Sequence, residues 1–177
     1  MKILVRVLLA IAALLVLATG GLFLAGMRSS AGHNEASVEI ARPTAQVFPY
    51  FSDLQLMKTW VGWKEVSLLS EGELKVGSKF RVITGTDEYR VDLAGEVIEL
   101  QPNQRLVLVL QSNDPSFQFT ERAEFEVAGG DRTRASMKTK AQYGGFWRLM
   151  EPLVTQAAQK RLDDDVFRLK ALAEARP

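Results

Sequence analysis

The strongest constraint in this chain is a cadence of short alternating segments broken by turn residues and closed by one long helical stretch. Residues 37–41 alternate polar and apolar side chains, as a half-buried strand does. Segments 64–70, 78–84, 88–100, 105–111, 116–128 and 132–143 also read as strands. Their separators are turn chemistry: Gly72 and Gly77, Pro102-Asn103, Asn113-Asp114-Pro115 and Gly129-Gly130-Asp131. Parallel neighbours need crossovers of about a dozen residues, so connections this short imply an antiparallel meander. Gly95 interrupts the inward face of segment 88–100, where it predicts a bend or a bulge.

Two short helices fall between the first and second strands. Pro43 with Thr44 opens one, carrying Val47, Phe48, Tyr50 and Phe51 at helical spacing, and Pro49 limits its length. Asp53 is placed to cap the second, which contains Leu54, Met57 and Trp60. After Gly144-Gly145 the period becomes helical. Phe146, Leu149, Leu153 and Ala157 form one ridge, and Ala158, Leu162, Val166 and Leu169 continue the apolar stripe on the adjacent row. Lys160, Arg161, Asp163, Asp164 and Asp165 are expected on a solvated face. Pro152 kinks this helix or marks its effective start, and Trp147 with Phe146 pins it to the sheet. Such a helix has one evident burial partner, the concave face of the curved sheet before it.

The N-terminal region has a different character. Residues 7–27 carry no charged side chain and lie between Arg6 and Arg28. At about 1.5 Å per residue the run reaches roughly 31 Å, close to the ~30 Å hydrocarbon core of a bilayer. It reads as a transmembrane helix. The division expected is an anchor over residues 1–27, a small polar linker over 28–36 and one domain over 37–177. Lys2 and Arg6 would keep the N-terminus cytoplasmic and place the domain outside it, as a single-pass membrane protein of periplasmic type. The alternative is a signal peptide cleaved at Ser29-Ser30-Ala31, which would release a secreted domain.

Charge and composition remove several function classes. Lys and Arg total 22 against 21 Asp and Glu, a net of +1. Lys2, Arg6 and Arg28 supply all the charge of residues 1–33, so the remainder is slightly acidic and no nucleic acid is expected as a partner. There is no cysteine, which excludes disulfides, a thiol nucleophile and zinc–thiolate sites. The single histidine, His33, falls in the expected linker, so no Ser-His-Asp arrangement is available within the domain. Asp163, Asp164 and Asp165 are successive on a helix and point about 100° apart, so they cannot converge on one ion. No metal and no cofactor is expected.

The order of strand, two short helices, six strands and long terminal helix resembles the helix-grip fold. The chain resembles the SRPBCC (START/Bet v 1-like) superfamily and, within it, the polyketide cyclase/dehydrase-like group. That resemblance covers about residues 36–174 and is carried by Val38-Glu-Ile-Ala-Arg-Pro43 running into Val47-Phe48 and Asp53, by Trp60, by Gly77-Ser-Lys-Phe80, by Gly95-Glu-Val-Ile-Glu-Leu-Gln-Pro102 and by Leu169-Lys170. It implies an α+β domain whose curved antiparallel sheet wraps around the C-terminal helix and encloses a cavity. No subgroup signature is present.

Inward parity then supplies candidates. Phe80 and Val82, then Tyr89, Val91 and Leu93, then Phe117, Phe119, Glu121, Ala123 and Phe125, share the expected cavity face. The last strand adds Thr133, Ala135, Met137, Thr139, Ala141 and Tyr143. Glu121 is the exception in an apolar series, and a buried carboxylate needs a partner or a raised pKa. Trp60 and Trp63 fall where the fold has its pocket mouth. The ligand-binding set expected is Trp60, Phe80, Tyr89, Phe119, Glu121, Met137 and Tyr143, with Glu121 the one catalytic candidate. The expected function is binding of a hydrophobic small molecule or lipid. A cyclase/dehydrase-like enzyme using Glu121, Tyr89 and Tyr143 as acid–base groups and a protein-interaction module are the alternatives.

Overall fold

A computed structural model of the chain describes residues 2–27, 32–145 and 147–175. Seven strands form one antiparallel sheet in the order β1-β7-β6-β5-β4-β3-β2. They are β1 (His33–Ile40), β2 (Glu65–Leu68), β3 (Lys79–Gly85), β4 (Arg90–Gln101), β5 (Arg105–Ser112), β6 (Phe119–Gly129) and β7 (Thr133–Tyr143). Strands β2 to β7 pair in chain order, as their short turns require, and β1 closes onto β7 with Val38 opposite Ala135. β1 starts at His33 rather than at residue 37, so the segment expected as a linker already pairs with the sheet and Ala36 is buried. The ladder of hydrogen bonds to β7 decides this start, which side-chain alternation alone does not reveal.

Three helical pieces follow β1: α2 (Thr44–Val47), α3 (Pro49–Ser52) and α4 (Leu54–Val61). Asp53 caps α4 by accepting from the backbone N–H groups of Gln55 and Leu56 at 2.7 and 3.2 Å. α4 ends at Gly62 in the left-handed region, φ 74°. The terminal helix, α5 (Trp147–Ala175), runs through Pro152 without ending there. Its second half docks in the sheet's concave face through Leu162, Val166, Leu169 and Ala173, all buried. The first ridge does not pack this way: Leu153 is exposed, and the Phe146 and Leu149 side chains lie outside the described residues.

The same helix covers the free edge of β1. Gln159 accepts from the Glu35 N–H and donates to the Glu35 carbonyl, and Lys170 donates to the Glu39 carbonyl. Glu174 accepts from the Ala41 N–H at 2.7 Å. An edge strand that would otherwise offer unpaired backbone groups is thereby satisfied within the chain.

Gly95 is not at the irregularity of β4, which falls between Val97 and Glu99. Its role is a close approach. Gly95 pairs with Phe80 across β3 and β4, and the Phe80 ring lies over it where a Cβ would stand.

α1 (Lys2–Met27) forms over the uncharged run and touches α5, but the membrane placement is corrected. Among the described residues, no helix is long and apolar enough to cross a membrane. The single-pass topology with an exported domain, which rested on that span, falls with it. The cleavage segment Ser29-Ser30-Ala31 lies outside the described residues.

The Gly95–Phe80 contact sets an expected outcome. Gly95→Val overpacks the site and lowers the unfolding free energy by about 1–3 kcal/mol in urea titration. Adding Phe80→Leu should restore part of that loss, so the two substitutions are non-additive.

Candidate functional site

The sheet curls around α5, and among the described residues the helix buries apolar side chains against it only in its second half. In its first half the helix offers Val154, Ala157 and Ala158, and these small side chains leave a cavity of about 350 Å³ between helix and sheet. That volume suits a small ligand. β4 contributes Val91 and Leu93, β5 Leu108 and Leu110, and β6 Phe119, Glu121, Ala123 and Phe125. β7 adds Met137, Thr139, Ala141 and Tyr143, and Val61 and Trp63 close the side below α4. Gly85 and Ala157 are exposed on the rim.

One end is aromatic. Phe117 stacks on Phe119 with centroids 5.5 Å apart, and Phe119 meets Tyr143 at 5.3 Å. Trp147 approaches Phe117 edge-on at 5.0 Å and donates from Nε1 to the Ser116 carbonyl at 3.2 Å. The start of α5 is thus pinned to the β5–β6 loop, as expected of Trp147.

The charged groups sit against the apolar wall. Glu121 stands opposite Leu110 on one side and Ala141 on the other. Burial pushes its carboxyl up to about 6, and the Arg161 charge and a hydrogen bond with Thr139 offset only part of this. Tyr143 is held well above its ordinary value by burial, with Glu121 and Glu151 adding to the effect, so its phenol stays protonated. Across the cavity, Asp165 is buried on α5 and meets Arg168 Nη1 at 3.0 Å and Arg161 Nε at 3.9 Å. Burial pushes Asp165 to about 6 although both arginines pull the other way.

The two arginines also finish α4. Arg161 donates to the Val61 carbonyl at 2.9 Å and Arg168 donates to the Trp60 carbonyl. Those carbonyls belong to the last turn of the helix and have no partner within it. The Asp165 carboxylate therefore holds, from a buried position, the side chains that tie α4 to α5.

Four of the seven candidates from the sequence reach the cavity: Phe119, Glu121, Met137 and Tyr143. The other three do not line it. Trp60 is fully buried, donating from Nε1 to the Tyr50 carbonyl at 2.9 Å and packing on Phe51 and Phe125. Phe80 is fully buried over Gly95 and beside Trp63. Tyr89 lies in the turn before β4, half exposed, because that turn ends the alternation before it reaches position 89. Trp63 does line the cavity. Sequence reasoning missed the roles of Arg161 and Asp165: Asp165 is buried rather than on the expected solvated face, and Arg161, which is exposed there as expected, also lines the cavity. Their spacing of four residues, with Arg168 three further on, was the available signal that they meet. Among the described residues, no group of acidic or histidine side chains could hold a metal ion.

Residues 32–174 match the family described as polyketide cyclase / dehydrase and lipid transport. The chain belongs to that family. No curated protein matches it. Among solved structures, a START superfamily protein from Mycobacterium smegmatis aligns with TM-score 0.66 at 17% identity, over 80% of this chain and 97% of that one. The Zhui aromatase/cyclase from Streptomyces sp. R1128 aligns with TM-score 0.64 at 14% identity, over 81% and 94%. A conserved protein from Geobacillus kaustophilus aligns with TM-score 0.64 at 14% identity, over 80% and 94%. At such identities the likeness is one of fold: the helix-grip domain of the START/SRPBCC superfamily.

The Glu121 carboxyl gives the site a pH signature. Its folded pKa lies above the ordinary 4.5, so the folded state holds a proton that the unfolded chain releases. Its contribution is therefore neutral at low pH, turns unfavourable as pH rises from 4.5 to about 6, and is constant above that. Glu121→Gln should remove this slope and gain about 2 kcal/mol of stability over the parent at neutral pH, read from urea unfolding across the range.

Proposed function

We propose that this domain binds a hydrophobic small molecule, or a single lipid, in the cavity between the sheet and the first half of α5. The observation that carries the reading is the cavity of about 350 Å³ itself, walled by leucine, valine and aromatic side chains where α5 presents alanines. A domain with no occupant to hold gains stability by filling such a space, since voids forfeit packing. The family match and the fold shared with START-type and aromatase/cyclase proteins support it.

Nile red titration is the direct test. The dye should saturate the cavity at one per chain, and Ala157→Trp, which fills the rim, should weaken that component at least about ten-fold. The exposed apolar surface of α1 will also take up dye, so the fraction lost in the variant is the cavity's share. Dye uptake that is identical in parent and variant refutes the reading. Native mass spectrometry of the purified chain should recover an apolar molecule bound one-to-one.

A second reading, a cyclase-like reaction in the same cavity, is favoured by Glu121. A carboxyl titrating at about 6 exchanges protons readily near neutral pH. Incubation with a poly-β-ketone thioester should then yield an aromatic chromophore, and Glu121→Gln should reduce its rate at least about a hundred-fold. No chromophore with the parent chain eliminates this reading and leaves binding intact.

A further inference from the structure

We infer that Glu121, Thr139 and Tyr143 form a polar subsite on the cavity wall that selects an uncharged apolar ligand bearing a hydroxyl or ketone group. The inference rests on the ligand-binding reading above. Its first support is the register. Glu121 on β6 faces Ala141 on β7, and Thr139 and Tyr143 flank Ala141 on the same face of β7. Such diagonal neighbours lie within reach of one another across an antiparallel pair. The small side chains of Ala123 and Ala141 leave the space beside the carboxyl open to the cavity.

The second support is hydrogen-bonding capacity. Among the described residues, no protein group bonds the Tyr143 hydroxyl, and the side chain is partly buried against Phe117 and Phe119. Glu121 likewise has no ion pair within bonding distance, the Arg161 guanidinium acting on it only through space. Polar atoms in an apolar enclosure lose their hydration, and a partner that restores the bonds is favoured. The three groups are complementary to one kind of partner. A ligand hydroxyl can donate to Glu121 and accept from Tyr143, and a ketone can accept from Tyr143, while Thr139 holds the Glu121 carboxyl in place.

The third support is charge balance. Glu121 and Asp165 oppose Arg161 and Arg168, and Arg168 is already engaged by Asp165. An ionic head group would enter with no excess of opposite charge to meet it, and would lose its hydration in doing so. The cavity therefore discriminates against fatty-acid-like and amine-like ligands of the same length.

The test uses the full chain at neutral pH and five ten-carbon probes displacing Nile red: the primary alcohol, methyl ketone, alkyl chloride, carboxylate and ammonium. The alcohol and ketone should bind at least about ten-fold more tightly than the other three. Glu121→Leu and Tyr143→Phe should each reduce the alcohol-to-chloride affinity ratio at least about five-fold. The ratio compares two ligands on one protein, so partial loss of fold in a variant does not imitate the effect. A chloride that binds as well as the alcohol, or an ion that binds best, overturns the subsite while cavity binding stands. A ratio unchanged in both variants also overturns it. Failure of Nile red and all five probes to bind the parent chain overturns both.

Discussion

Everything in this domain depends on how α5 is seated. Leu162, Val166, Leu169 and Ala173 bury the second half of the helix in the concave sheet, each large side chain contributing about 1.5–3 kcal/mol. Lys170 and Glu174 fix the same half against the open edge of β1, and Gln159 does so from the turn before it. Arg161 and Arg168 then tie α4 to it through the carbonyls of Val61 and Trp60. Along its first half α5 faces the sheet with Val154, Ala157 and Ala158, which are too small to fill the space, and the cavity is the result.

Polar groups in the cavity work against stability. Glu121 and Asp165 are both disfavoured in their charged forms by burial, and Tyr143 holds a hydroxyl among aromatic rings. Fold maintenance alone would place apolar residues at these positions, because buried ion pairs rarely repay their desolvation. Asp165 has a structural account, since it organises the two arginines that complete α4. Glu121 has none in the packing, and sites where local rules are broken without structural gain are where function concentrates.

Much of the architecture was legible along the chain. The turns at Pro102-Asn103 and Gly129-Gly130-Asp131 and the cap at Asp53 act locally, through backbone preferences that need no distant partner. The parity of β6 and β7 was equally readable and puts Phe119, Glu121, Met137 and Tyr143 on the face that lines the cavity. Phe80 shares the inward parity and Trp60 falls at the mouth implied by the fold resemblance, yet both lie in filled core, because neither signal distinguishes a filled core from a cavity wall. That distinction depends on where α5 lies: it approaches closely over Trp60 and stands away from Glu121. The membrane reading of the N-terminal run rested on length and apolarity read along the chain, and among the described residues no helix is both long and apolar enough to cross a membrane.

The sequence by itself determined the antiparallel meander, the terminal helix and the presence of one carboxylate on an apolar face, because periodicity and turn residues are local properties. Only the tertiary structure decided that Asp165 leaves the solvent and that Arg161, half exposed, lines the same open space as that carboxylate. Their orientation is set by long-range contacts with α4 and by the angle between helix and sheet, and no pattern of neighbouring residues encodes that angle.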